Sequence, residues 1–450
     1  MPYCRFLLIS AAALWLAVGW LSAEARAQGP SAAGFRAVQV DDARAAAAGI
    51  RKLRPSRYLT LYTDLPVNAE IEILPEVFDQ ALPQWCEYFR LDPDALAAWR
   101  MTGFLMKDKR RFLSTGLLPA DLPPFLHGYS RSGILWLYEQ PSDYYRRHLL
   151  IHEGVHGFMA TLLGGCGPPW YMEGMAELLG THRWQDGKLR LNYMPANRDE
   201  VPEWGRVRII KDAWTARQVM SLKKVMAIPG EEFLGNKPYA WAWAMATLLD
   251  HHPRYRERFR QLARQVRAPD FNERFYQALG NDWDDAVEEW QLLIAGMEYG
   301  YDVARTAVDF TPGRALPAQG ATVTVAADRG WQNSGLRLEA GATYRLTAAG
   351  RYQVAGKPQI WWCEPNGVSI RYYQGQPLGL LLGAIRPDGP LKKGSSALLH
   401  PTPVGLGAAL APDRAGTLFL KINDSAGELG DNKGELKVRV RTQPATGPND

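Results

Sequence analysis

The stretch LLIHEGVHGFMA, residues 149–160, places two histidines four positions apart with a glutamate directly after the first. On a helix, side chains four apart share a face, so His152 and His156 can reach a single ion. Glu153 stands one position round and can approach a water held by that ion. This H-E-x-x-H arrangement combines two zinc ligands with a general base. The base is needed because hydroxide is scarce at neutral pH: a bound metal lowers the pKa of its water, and the carboxylate takes the proton during attack. The five-residue pattern alone also fits a helix with two surface histidines. A further segment, WYMEGMAELLG, shifts that balance. It follows the turn GGCGPP and brings Glu173 to a position seventeen residues beyond His156, which suits two helices folded back on one ion. Glu177, one turn on, can accept the free N–H of a ligand histidine and fix its ring orientation.

Together, HEGVH and the later W-x-x-E-G-x-A-E resemble the gluzincins, a group of zinc metallopeptidases, and more narrowly secreted bacterial proteins of that type. The resemblance covers about residues 55–295. It implies that Glu173 is the third zinc ligand, that Glu177 supports a ligand histidine, and that the substrate is a peptide or protein. It also implies a small α/β half with an edge strand just before the zinc helix, with Ile134–Tyr138 in that place. A donor is then needed for the oxyanion that develops on the attacked carbonyl. Tyr239, at the start of NKPYAWAWAMATLLDHH, is the first choice, against a purely structural tyrosine. His251 and His252 are weaker choices, because a pair at a helix end beside Pro253 suits a favourable cap. His148 is expected to point past the ion, towards solvent or a supporting carboxylate. Met159 and Leu162 stand where the metzincin extension H-x-x-G-x-x-H would need its glycine and third histidine. The G-A-M-E-N exopeptidase motif is also absent.

These residues need elements to position them. Apolar spacing predicts a helix over 143–163, started by Asp143 and ended by Gly164 and Gly165. RYLTLYTDLP reads as a strand ending in a turn, and VNAEIEILPEVFDQALPQWCEYF as helical with a break allowed at Pro75. Trp99–Met106 and Ile134–Tyr138 are further strands, and helices dominate from Tyr144 to about Gly300. Trp136, Tyr138, Trp184, Trp204, Trp214, Trp241 and Trp243 could line a cleft, although such stripes more often build a core.

Near residue 300 the pattern changes to short alternating runs broken by glycine: Ala321–Ala326, Thr343–Ala348, Leu418–Ile422 and Glu435–Val440. The closing piece, LFLKINDSAGELGDNKGELKVRV, resembles the PA-I type galactophilic lectins, β-sandwiches with one calcium ion between loops. That resemblance implies Asp424, Asp431 and Asn432 as oxygen ligands, completed by backbone carbonyls near Glu428 and Val354, a donor set that suits calcium. It also raises a glycan as a partner. The sugar-binding loop of those lectins carries histidine and glutamine, however, and IWWCEPNGVSIRYYQGQPLG has no histidine. Trp361 and Trp362 could stack on a sugar, with core packing as the plainer role. A structural sandwich with an Asp-Asn turn fits the same residues.

The 450 residues are 46% hydrophobic and 22% charged, with a net charge of +5. These are globular values, and the mild charge argues against nucleic-acid binding. Arg5, the apolar run from Phe6 to Leu21, and Ala25-Arg26-Ala27 read as an export signal cut before Gln28, against a membrane anchor, for which the apolar run is short. No second candidate span follows, so the expected location is secreted or periplasmic. Three cysteines remain after cleavage, and Cys86 with Cys166 could form one bridge. The expected architecture is an α+β gluzincin-like domain over 28–300, after a signal peptide at 1–27, and an all-β sandwich of galactose-binding-like type over 301–445. The expected activity is zinc-dependent peptide hydrolysis. A catalytically inert glycan- or protein-binding chain on a peptidase scaffold is the competing expectation.

Overall fold

The computed structural model describes residues 38–389, 391 and 394–443. The expected signal at 1–27 lies outside the described residues. The fold is α+β with a β-rich C-terminal part. It opens on a five-stranded sheet whose spatial order is β1-β2-β3-β5-β4, built from β1 (Arg51–Lys52), β2 (Leu59–Thr63), β3 (Met101–Met106), β4 (Gly128–Arg131) and β5 (Ile134–Tyr138). The central strands β2, β3 and β5 run parallel, while β4 lies antiparallel to β5 at the edge. The edge strand is therefore Gly128–Arg131 and not Ile134–Tyr138 as expected, because Ile134–Tyr138 pairs on both sides. All six residues of β3 are buried, as expected of a central strand covered on both faces. One face of the sheet carries Tyr62, Phe104, Met106 and Trp136, and the other packs on helices.

The helices follow from apolar spacing, and glycines let them approach closely. Helix α1 (Leu74–Phe89) takes Pro75 in its first turn, where the missing N–H costs nothing, so the chain breaks at Ile73 rather than at the proline. Helix α2 (Asp143–Phe158) carries the H-E-x-x-H segment and continues as a π-helical turn, Met159–Leu163, closed by Gly164 at φ 75°. Its cap is Ser142, whose hydroxyl accepts from the Tyr145 N–H, and not Asp143 as the sequence suggested. Asp143 instead pairs with Arg146. A Cβ at Gly154 would stand 2.7 Å from both Phe78 and Trp85, and one at Gly157 2.1 Å from Met101. Small residues here therefore let α2 lie against α1 and β3.

Helix α3 (Pro169–Gly180) carries the second motif and leads into a hairpin of β6 (His182–Gln185) and β7 (Lys188–Leu191), which the helical reading of this stretch did not anticipate. Helices α4 (Arg206–Thr215), α5 (Asn236–His251) and α6 (Trp283–Gly296) follow, with shorter helices between them. Trp136, Trp204, Trp241 and Trp243 are core residues, and Trp214 is exposed. Cys86, buried in the core, and Cys166, partly exposed, are both free thiols, so the bridge considered from sequence is not formed. Among the described residues no helix is long and apolar enough to cross a membrane.

The remainder is two facing sheets. One has the order β17-β16-β19-β10-β8 and the other β18-β11-β20-β9. Their strands are β8 (Arg314–Ala315), β9 (Ala321–Ala326), β10 (Gln332–Leu338), β11 (Thr343–Ala349), β16 (Leu381–Pro387), β17 (Thr402–Pro403), β18 (Gly407–Leu410), β19 (Gly416–Ile422) and β20 (Glu435–Gln443). Two small hairpins, β12 (Tyr352–Ala355) with β13 (Trp361–Cys363) and β14 (Tyr372–Tyr373) with β15 (Gln376–Pro377), stand beside them. Leu338, Leu418, Leu420 and Ile422 from one sheet meet Leu346, Leu436, Val438 and Val440 from the other. All four runs read as strands from alternation are strands. The run at β16 was missed because its first four residues are buried in succession, which leaves no alternation to read. Trp361 packs partly buried against this core, while Trp362 is 48% exposed.

Candidate metal centre

Helices α2 and α3 run in opposite directions past each other, since His156 meets Glu173 while His152 also meets Glu177. That register brings three donor atoms together. His152 Nε2 and His156 Nε2 are 3.1 Å apart, and each lies 3.2 Å from Glu173 Oε2. With zinc–ligand bonds of about 2.0–2.1 Å, ligand atoms on a tetrahedral ion stand about 3.3–3.4 Å apart. The triangle is close to that size. His152, His156 and Glu173 are almost fully buried, and they form a group that could hold a metal ion.

The electrostatics favour a cation there. Burial pulls the His152 imidazole down, but Glu173 and Glu177 outweigh it and leave the group at about 9. Burial would likewise raise Glu173, yet the two histidines hold it at about 2. The cluster draws positive charge, and a divalent ion would meet that demand with neutral imidazoles.

Glu177 is the hub beneath the cluster. It accepts from Arg206 through both oxygens at 2.9 Å, and it lies 3.3 Å from His152 Nδ1 and 3.3 Å from His148 Nε2. His148 therefore turns to the supporting carboxylate, one of the two directions expected for it. A second group, His148, His152 and Glu177, also brings its ligand atoms within 4.8 Å of one another, but the Arg206 guanidinium already neutralises its carboxylate. Sequence reading missed Arg206. It stands at the first position of α4, after Gly205 at φ 64°, and no local signal ties it to Glu177 twenty-nine residues earlier. Both partners are buried, so Arg206→Leu would leave a buried carboxylate without its main partner. We expect a loss of about 3–5 kcal/mol of stability in denaturant titration. Affinity for an added divalent metal ion, measured by chelator competition, should fall by about ten- to a hundredfold.

Glu153 lies beside the triangle, 6% exposed, and accepts no hydrogen bond among the described residues. Burial raises its carboxyl above the ordinary range, with His156 and His152 pulling against it. Over it sits the edge strand: a Cβ on Gly128 would stand 2.6 Å from Glu153 Oε1. Gly128→Ala should therefore displace the carboxylate while leaving the ligands alone. Under the hydrolytic reading proposed below, an unchanged metal content with turnover lower by on the order of a hundredfold is the expected result, since a displacement of about 1 Å can cost that much.

A cavity of about 70 Å³ opens in front of these groups, lined by His152, Glu153, Gly128, His127, Arg206 and Tyr239 among others. Its apolar wall comes from Phe125, Leu126, Phe233 and Leu234, so the tryptophans considered from sequence do not line it. Tyr239, in the first turn of α5, faces the His152 ring at 5.8 Å between centroids, with the Arg206 guanidinium 5.5 Å from its own ring. Burial, reinforced by the nearby glutamates, raises its pKa far above the usual phenol, which keeps the hydroxyl a donor. His251 and His252 lie at the other end of the same helix. His252 is bonded to Glu289 at 3.0 Å and stacked on Tyr255, so neither histidine belongs to the cavity.

In the sandwich, Asp424 and Asn432 meet, and Asp431 precedes Asn432 in the same loop. Asp424 Oδ2 accepts from Asn432 Nδ2 at 2.8 Å, and Asp431 Oδ2 accepts from the Gly356 N–H at 2.8 Å. Asp431 Oδ1 and Asn432 Oδ1 are buried without a hydrogen-bond partner among the described residues. Burial pushes the Asp424 carboxyl up to about 7, against hydrogen bonds from Asn432 and Ser425. Orphaned oxygens in the same loop as a buried carboxylate fit a hard cation.

No family model matches the chain, and no curated protein matches it. Among solved structures, the chain is similar to one described as "EclA N-terminal domain; PllA-like lectin", at 23% identity and a TM-score of 0.20, over 27% of this chain and 95% of that one. A TM-score of that size supports no assignment, and none rests on it.

Proposed function

We propose that this chain is a zinc-dependent peptidase of the gluzincin type, exported to a secreted or periplasmic location. The observation that carries the reading is the buried triangle of His152, His156 and Glu173 with the carboxylate of Glu153, which accepts no hydrogen bond among the described residues, beside it. Bound there, zinc would acidify a water and polarise the substrate carbonyl. Glu153 takes the proton from the attacking water and can pass it to the leaving amine. Tyr239 donates its hydroxyl to the carbonyl oxygen as negative charge develops. Glu177 fixes the His152 ring through Nδ1, and Arg206 holds Glu177. Among the described residues the outer edge of β4 carries no further strand, and it passes over Glu153 at Gly128, so an extended peptide can align on it by strand addition. That edge favours a peptide over other hydrolysable substrates.

The experiment is a metal assay on purified protein with its His156→Ala variant. One zinc per chain is expected in the wild type and loss of most of it in the variant. Full retention by His156→Ala would show that the ligands are wrong, and no stoichiometric zinc in the wild type would favour the inert binding protein.

For the sandwich we infer a calcium site at Asp424, Asp431 and Asn432. The supporting observation is the pair of orphaned oxygens on Asp431 and Asn432. Trp362 and Tyr372 are exposed aromatic faces in this module that a glycan could use.

A further inference from the structure

The loop that carries the candidate calcium ligands also joins the two parts of the molecule. Its apex, Ser425–Gly427, is pressed against the segment leaving α6. The Asp302 N–H donates to the Ala426 carbonyl at 3.2 Å. A Cβ on Gly427 would stand 2.2 Å from the Tyr299 carbonyl oxygen, and one on Gly300 3.0 Å from the Gly427 carbonyl oxygen. Ala426 packs on the hydrophobic core of the first part, not on the sandwich core. Gly300 in turn donates its N–H to the Pro195 carbonyl at 2.7 Å, in the chain that follows the β6–β7 hairpin. Nearby, Tyr373 donates to Glu298 at 2.8 Å.

We infer that calcium held by Asp424, Asp431 and Asn432 fastens the sandwich to the zinc-binding part, through the loop apex that those ligands flank. The inference rests on the calcium reading given above. Asp424 lies just before the apex and Asp431 and Asn432 just after it, so an ion joining them closes a short loop and fixes Ala426 and Gly427 between its ends. Within the loop, Asn432 donates to Asp424, and the Asp431 and Asn432 Oδ1 atoms are buried without a hydrogen-bond partner among the described residues, so an ion held by them would tie the two ends. A cation that binds only the ordered loop stabilises every contact requiring that order, including the Ala426–Asp302 bond across the seam. The hard-oxygen donor set selects calcium over softer metals, so zinc at the histidines and calcium in the loop need not compete.

The test uses the full chain, dialysed free of calcium in buffer that keeps zinc saturating, then titrated with calcium chloride. Calorimetry reads binding, and amide hydrogen exchange reads the seam. Calcium uptake should slow exchange at the amides of Gly300 and Asp302 by at least about tenfold, with β2 and β3 unchanged. Gly427→Ala should still take up calcium but lose that slowing, because the added methyl meets the Tyr299 carbonyl. Calcium uptake by the wild type with exchange unchanged at Gly300 and Asp302 would overturn the coupling and leave the site. Absence of uptake would remove the calcium reading and the coupling with it. Should Gly427→Ala fail to fold, the wild-type titration decides alone.

Discussion

Glu153→Gln is expected to keep its zinc and its melting temperature while hydrolysis falls by at least about a hundredfold, the scale of a positioned general base. The substitution is nearly isosteric, and Glu153 makes no hydrogen bond or ion pair among the described residues that the amide would break. It lies next to His152 and His156 without being one of the three converging donors, so the metal should not leave with it. Burial already disfavours the charged carboxylate, and a neutral amide should fit the pocket at no structural cost. The measurement pairs zinc content with turnover on a proteome-derived peptide library, where cleavages lost in the variant also define the specificity. An active Glu153→Gln protein with full zinc would remove Glu153 from the chemistry. A protein that lost its metal would make the residue a ligand instead.

Tyr239→Phe should lower turnover by about a hundred- to a thousandfold, the range for loss of one oxyanion donor. The hydroxyl makes no hydrogen bond among the described residues, so its removal leaves no buried group unpaired. The ring keeps its contacts with His152, Phe233 and the Arg206 guanidinium. Apparent substrate binding, zinc content and melting temperature should therefore hardly move, because the lost interaction strengthens only as charge builds on the carbonyl oxygen. A structural tyrosine would give the reverse: altered stability with turnover nearly intact. In that case the donor has to be sought among the other polar groups of the cavity, His127 and Asn236, since His251 and His252 are bound up at the far end of α5.

Much of the centre was legible in the chain because its rules are local. Two histidines at helical spacing, and two glutamates at the same spacing on a following helix, determine which side chains share each face. His152, His156, Glu173 and Glu177 are brought together as that spacing requires. The alternating runs of the C-terminal part became strands for the same reason, since a period of two leaves one face to be buried. Other features are settled by contacts between segments distant in sequence. Arg206 was invisible because its role depends on a carboxylate on another helix. Gly128 looked like one loop glycine among many until β4 was laid over Glu153. Ser142 won the cap from Asp143 because Arg146 drew the aspartate away. Cys86 and Cys166 stayed apart, one in the core and the other beside the carbonyl of His156. Periodicity therefore determined which residues could act together. Only the packing of α2, α3, α4, α5 and the sheet edge decided which of them face one cavity, because buried charges and close backbone approaches are satisfied by whichever partner the fold brings near.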